Sequence, residues 1–130
     1  MSLTTEERKA IVDYRFEKAD NTYDEAKKIF ELGLYNLTAN RLYYSVYYAA
    51  TALLTNMGLS SHTHRGSMTL FHLHIVKAGI AAVEDGALFR QLFGMRHEGD
   101  YEDFVDFSKE DIAPFFPLVA DFIQKMKNLR

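Results

Sequence analysis

Two arginines set among tyrosines carry most of the chemistry that this sequence offers. Arg41 opens a run in which Tyr43, Tyr44, Tyr47 and Tyr48 follow within seven positions. Arg96 is followed by Asp100 four residues on and Tyr101 five residues on. A guanidinium presents a planar fork of donors that fits a phosphate, and a phenol adds a ring face and a hydroxyl. The functional reading is one cleft for a phosphate or a nucleotide, lined by Arg41, Tyr44, Tyr48, His64, Arg96, Asp100 and Tyr101. The structural reading is plainer. Arg96 and Asp100 have the i,i+4 spacing of a helix ion pair. Arg41 would be a core arginine neutralised by a carboxylate such as Asp100, with the tyrosines filling volume around it. A contact of Arg41 with Asp100 or Tyr101 would join the two clusters into one network.

Four of the five histidines lie between His62 and His74. Imidazole is a common zinc ligand, but His72 and His74 are two apart on a predicted helix and point about 200° away from each other. No metal site is expected there. His64 is read as a cap of the third helix. Cysteine is absent, which removes thiolate chemistry and disulfides. Ser60, Ser61 and Ser67 lack a nucleophile-elbow setting, and the glycines are scattered as helix stops rather than grouped in a phosphate-binding loop. The carboxylates form no acid–base dyad, and no cofactor is expected. No catalytic residue is assigned on this evidence; Arg96 is the one candidate.

The remaining composition narrows the class. The chain has 130 residues, a one-domain length spanning 1–130, with 48% hydrophobic and 25% charged residues. Net charge is −3 and the isoelectric point about 5.9, which argues against a broad nucleic-acid surface but leaves room for a small basic cleft. Residues 98–106 hold five acids in nine (Glu98, Asp100, Glu102, Asp103, Asp106), which would repel RNA locally. No apolar run reaches the roughly 18 residues of a membrane span. The charged start MSLTTEERKAIVDY does not read as a signal peptide, so a cytoplasmic protein is expected.

The elements that must position these residues are helical throughout. The first helix is predicted over about Thr5–Gly33, with Ile11, Val12, Phe16, Ala19, Tyr23, Ala26, Ile29 and Phe30 on one stripe and Arg15 intruding into it. The second, about Leu37–Met57, is apolar almost all round and reads as a buried central helix. Its dense aromatics read as core rather than as a stacking platform, since no basic groove is visible beside them. A short helix over about Ser67–Lys77 and a fourth over about Val83–Glu98 follow, with Gly99 as break or bend. Ser108 and Asp111 form a capping-box start for a last helix in which Pro114 fits the first turn and Pro117 introduces a bend. The sum is an all-α, antiparallel up-and-down bundle of four main helices plus a short one.

The segment Asn40-Arg41-Leu42-Tyr43-Tyr44-Ser45-Val46-Tyr47-Tyr48-Ala49-Ala50 resembles the N-R-x-Y-Y-x-x-[FY]-x-A signature of HEPN domains. The resemblance continues at His64 with Gly66, at Phe71 with Val76-Lys77-Ala78-Gly79, and at Arg96-x-x-x-Asp100-Tyr101. It is greatest to the small stand-alone bacterial and archaeal members. It implies a helical bundle that dimerises and is often encoded beside a minimal nucleotidyltransferase in a toxin–antitoxin-like pair. The family's ribonucleases carry Arg, four to six residues, then His. From Arg96 the corresponding positions are Tyr101, Glu102 and Asp103, and His97 is adjacent, so the catalytic His does not carry over. Tyr101 is a loose match to a tyrosine that some members offer for nucleotidyl transfer. Three expectations follow from the resemblance. The first is a homodimeric module that binds a nucleotidyltransferase partner, a nucleotide or RNA without cleaving it. The alternatives are a ribonuclease toxin that uses Arg96 with a non-standard second residue, and a structural adaptor.

Overall fold

Thr4 begins the first helix by a reciprocal capping box. Its Oγ1 accepts from the Glu7 amide at 3.0 Å, and Glu7 Oε1 accepts from the Thr4 amide at 3.0 Å. Helix α1 then runs Thr5–Glu31, and Gly33, at φ +78°, turns the chain back. A three-residue turn forces helix α2, Tyr35–Asn56, to run antiparallel to α1. Residues 3–130 are described in this computed structural model. Residues 1 and 2 of the expected 1–130 domain lie outside the described residues.

Helix α2 is the centre of the bundle. Leu42, Tyr43, Val46, Ala49, Ala50 and Leu53 are buried along it, and α1, α4 (Val83–Tyr101) and α6 (Phe115–Leu129) pack around it. The small residues Ala39, Ala49, Ala50 and Ala52 let neighbouring helices approach closely on several sides. Arg15, the polar intruder in the α1 stripe, donates Nη1 to Thr55 Oγ1 at 2.8 Å and lies 3.4 Å from the Thr51 carbonyl. Its charge therefore meets polar atoms of α2 rather than core carbon.

The third helix starts earlier than its apolar pattern predicts. Helix α3 is His64–Phe71, and Thr63 caps it by accepting from the Gly66 amide at 2.9 Å. His64 is thus the first helical residue rather than the cap. The helix continues as a π-turn over His72–Val76 before Gly79, at φ +79°. His72 and His74 lie in that turn. His72 Nε2 is 3.4 Å from Arg90 Nη2, and no group of three His, Asp or Glu side chains converges among the described residues.

Two further expectations are corrected. Gly99 does not break α4, which continues to Tyr101. A Cβ at Gly99 would stand 3.2 Å from the Phe107 ring and 3.5 Å from Asn36, so glycine there serves close packing. The last helix is split: α5 is the single turn Lys109–Ile112, capped by Ser108 and Asp111, and α6 restarts at Phe115 after Pro114. Pro117 falls in the first turn of α6, where amides have no intrahelical acceptor, so it is accommodated there. Tyr23 of α1 donates to the Phe116 carbonyl at 3.0 Å, which locks α6 onto α1. The result is an all-helical, up-and-down bundle, with no β-strand among the described residues.

Candidate functional site

Three successive stretches of α2 set out the site. At the first turn, Asn36 Nδ2 donates to the Val105 carbonyl at 2.8 Å and its Oδ1 accepts from the Phe107 amide at 2.9 Å. This side chain fastens the acidic 102–108 loop to the start of α2. One turn on, Asn40 and Arg41 face the end of α4. Beyond them come Tyr44 and then Tyr47 and Tyr48.

The two arginine clusters do meet, but through a residue that type and charge alone had not singled out. Asn40 Oδ1 accepts from Arg41 Nε at 3.0 Å and Nη2 at 2.7 Å, while Asn40 Nδ2 donates to Asp100 Oδ2 at 2.9 Å. Asp100 in turn pairs with Arg96, with Nε 3.3 Å from Oδ2. Arg41 therefore reaches Asp100 by way of Asn40, and the direct Arg41–Asp100 or Arg41–Tyr101 contact is not formed. Its nearest carboxylate is Glu25 of α1, at 4.0 Å. An amide suits the bridge because it can accept from a cation and donate to an anion at once.

Tyr44 closes the network. Arg96 Nη2 donates to its hydroxyl at 3.2 Å, and both guanidiniums stand over its ring, Arg41 at 5.1 Å and Arg96 at 5.5 Å from the centroid. Arg96 also lies 5.8 Å from the Tyr43 ring and 5.6 Å from that of Tyr101. Its side chain is only 17% exposed, yet among the described residues it makes one hydrogen bond, the one to Tyr44. Arg96 Nε is buried with no aligned acceptor, so its approach to Asp100 is a charge contact. Most of the donor fork of Arg96 is left uncommitted.

His64 joins from α3. Its Nδ1 is 2.8 Å from the hydroxyl of the fully buried Tyr43, and its ring stacks on Tyr47 with centroids 4.3 Å apart. Burial lowers the tendency of His64 to take a proton, and the charge of Arg96 lowers it further. Burial of the Tyr43 phenol pushes its titration up, with the neighbouring tyrosines adding to the effect. His64 and Arg96 thus border the same two tyrosines, although 32 residues separate them in the chain and no spacing rule links them. Their shared neighbour Tyr43, read from the sequence as part of the aromatic core, is a contact between the two that the pattern missed. Tyr101 is 66% exposed at the mouth of this cluster.

Tyr48 lines an open groove between α1 and α2, where Tyr14, Lys18 and Arg41 are among its neighbours. The fold brings Lys18 of α1 over the Tyr48 ring of α2, in a groove that Glu17 and Glu25 also line.

The family model for the HEPN domain matches residues 12–129. The chain belongs to the HEPN domain family. Related proteins accompany this match. A UPF0332 protein of Thermotoga maritima is 29% identical over 123 residues, covering 95% of this chain and 93% of that protein. One from Archaeoglobus fulgidus is 32% identical over 117 residues, covering 90% of this chain and 93% of its own. A Methanocaldococcus jannaschii protein named as a candidate toxin is 24% identical over 111 residues, covering 85% of this chain and 76% of its own. No helix of this HEPN domain, among the described residues, is long and apolar enough to cross a membrane.

Proposed function

We propose that this HEPN domain is the ligand-binding subunit of a toxin–antitoxin-like pair, and that it holds the phosphate of an RNA or a nucleotide between Arg41 and Arg96. The observation that carries this reading is the state of Arg96. It is largely enclosed, is balanced by a single carboxylate that it meets without an aligned hydrogen bond, and keeps most of its fork free. The resemblance of the chain to a candidate toxin is consistent with that class of role. In this reading the domain works as a homodimer beside a nucleotidyltransferase partner, and Tyr101, exposed at the mouth, is within reach of that partner's chemistry.

A second reading rests on one specific observation. His64 spends Nδ1 on Tyr43 and, among the described residues, makes no hydrogen bond at Nε2, while standing against Tyr43 and Tyr44 as Arg96 does. A neutral imidazole with a free nitrogen near a phosphate-binding arginine is the equipment of a ribonuclease in which the histidine comes from another helix.

One experiment separates the two. Purified wild type, Arg96→Ala and His64→Ala are tested for RNA binding and for RNA cleavage, with circular dichroism to verify folding. Binding without cleavage, weakened at least ten-fold by Arg96→Ala, is the expected result. Cleavage that disappears in both variants would replace it with the ribonuclease reading. Variants that alter only thermal stability, with no RNA bound by any of them, would leave a structural adaptor. Sedimentation of the wild type at micromolar concentration tests the dimer, and a 15 kDa species there would refute it.

A further inference from the structure

The open surface between α1 and α2 holds two adjoining grooves of about 510 and 570 Å³. Both are walled by Tyr14, Lys18 and Tyr48, so they form one continuous depression. One end reaches Tyr47 and Arg15, and the other reaches Arg41 and also carries the carboxylates of Glu17 and Glu25. Lys18 Nζ sits 4.9 Å from the centroid of the Tyr48 ring and 5.6 Å from that of Tyr14. Tyr14 itself is 54% exposed. Aromatic faces interleaved with flexible cations are the chemistry that receives unpaired nucleic-acid bases and their phosphates.

We infer that this groove is a base-stacking site for single-stranded RNA, continuing from the Arg41–Arg96 cleft along α2. The inference rests on the phosphate-binding reading above and adds the path that the strand takes. Position along α2 supplies the direction. The acidic 102–108 loop is fastened at Asn36, the arginine cluster lies at Asn40–Tyr44, and the aromatic groove begins at Tyr48. A strand bound at the arginines is repelled by five acids on the loop side, and on the other meets Lys18 and Arg15 against only Glu17 and Glu25. From Arg41 to Tyr48 the helix rises about 10 Å, the length of about three stacked nucleotides. Lys18 now occupies the space between Tyr14 and Tyr48. Its long stem lets it move aside to a phosphate when a base enters between the rings.

The test is fluorescence anisotropy with labelled oligoadenylates two and six nucleotides long. Wild type is compared with Tyr14→Ala, Tyr14→Phe, Lys18→Gln and Arg96→Ala, each verified by circular dichroism. Tyr14 is exposed enough that its truncation leaves the fold intact. Tyr14→Ala is expected to weaken hexanucleotide binding by roughly ten-fold, the loss of one stacked base, and Tyr14→Phe to restore it. The dinucleotide, which brings fewer bases to the groove, is expected to lose less affinity on Tyr14→Ala than the hexanucleotide does. Lys18→Gln is expected to reduce the salt dependence of hexanucleotide binding by about one charge. Hexanucleotide binding unchanged in Tyr14→Ala overturns the inference, whatever Arg96→Ala does. Binding weakened by Tyr14→Ala but unaffected by Arg96→Ala upholds the groove and refutes the cleft. A sedimentation change from dimer to monomer in Tyr14→Ala overturns the inference in another way, because the groove would then be the seat of a second copy of this chain.

Discussion

Asn40 gives the sharpest test of the network, because one atom of its side chain can be inverted in role without changing shape. In Asn40→Asp the oxygen that accepts from Arg41 remains. The Nδ2 donor becomes a carboxylate oxygen facing Asp100 Oδ2, which is 2.9 Å from Nδ2 in the wild type. Two unit charges about 3 Å apart repel by about 5 kcal/mol at an effective dielectric of 20. The Asp100 side chain is 25% exposed, and Arg41 and Arg96 flank the pair, so most of that repulsion is screened or relieved. A net cost of about 1–2 kcal/mol remains at neutral pH, which in a domain of this size lowers Tm by about 4–8 °C. The sign of the pH dependence follows from the charge. Adjacent carboxylates hold a proton to higher pH than an isolated one, so the penalty is small in acid and grows as pH rises through the carboxylate range. Once protonated, the new side chain donates much as the amide did. The assay is thermal unfolding by circular dichroism at pH 4.5 and pH 7.5, wild type beside Asn40→Asp and Asn40→Ala. The gap between wild type and Asn40→Asp should shrink by more than half at pH 4.5, while the Asn40→Ala gap stays nearly constant. Equal gaps at both values would show that Asn40 does not bridge Arg41 and Asp100 in solution.

Other outcomes follow from the same structure. His64 and His72 both have proton affinities lowered by burial, with Arg96 and Arg90 respectively adding to it. The folded state therefore prefers the neutral rings, and their contribution to stability is complete above the unfolded value near 6.5 and lost as pH falls below it. Melting curves from pH 8 to pH 5 should show Tm declining below about pH 6.5 less steeply in His64→Gln than in wild type; parallel curves would contradict this. Asp85 is buried, accepts from the Ala82 amide at 2.9 Å and pairs with Lys125 at 3.0 Å, but Lys125 is 46% exposed and can turn to water. Asp85→Ala should cost about 1–2 kcal/mol by denaturant titration, less than the 3–5 kcal/mol of a fully buried broken pair. Phe104 is fully exposed at φ +64°, where a β-carbon is strained and its ring touches nothing that offsets the cost. Phe104→Asn should raise Tm by about 1–3 °C, and a lower Tm would show that the ring has packing partners in solution.

The helical class was legible because period alone reports it: apolar residues in α1 and α6 recur every three to four positions, and α2 is apolar on nearly every side. The capping box at Ser108 was equally local. What the pattern misplaced were boundaries decided by contacts from elsewhere. Gly99 reads as a break or a bend, yet α4 continues through it to Tyr101, and Phe107 and Asn36 close over the space where a side chain would stand. The i,i+4 pair of Arg96 and Asp100 was visible, since a helix brings those positions together without help from any other element.

The sequence by itself determined that this chain is a helical bundle, that it carries the HEPN signature around Asn40–Ala50, and that Tyr101, Glu102 and Asp103 stand five to seven positions after Arg96. All of these are properties of residue type and short-range order. Only the tertiary structure decided that Asn40 mediates between Arg41 and Asp100, that His64 arrives from α3 at the tyrosines of Arg96, and that Lys18 of α1 sits between rings of both helices. Those contacts depend on the rotation and register of one helix against the next. That is set by how whole side chains interlock in the core, and no spacing within a single segment records it.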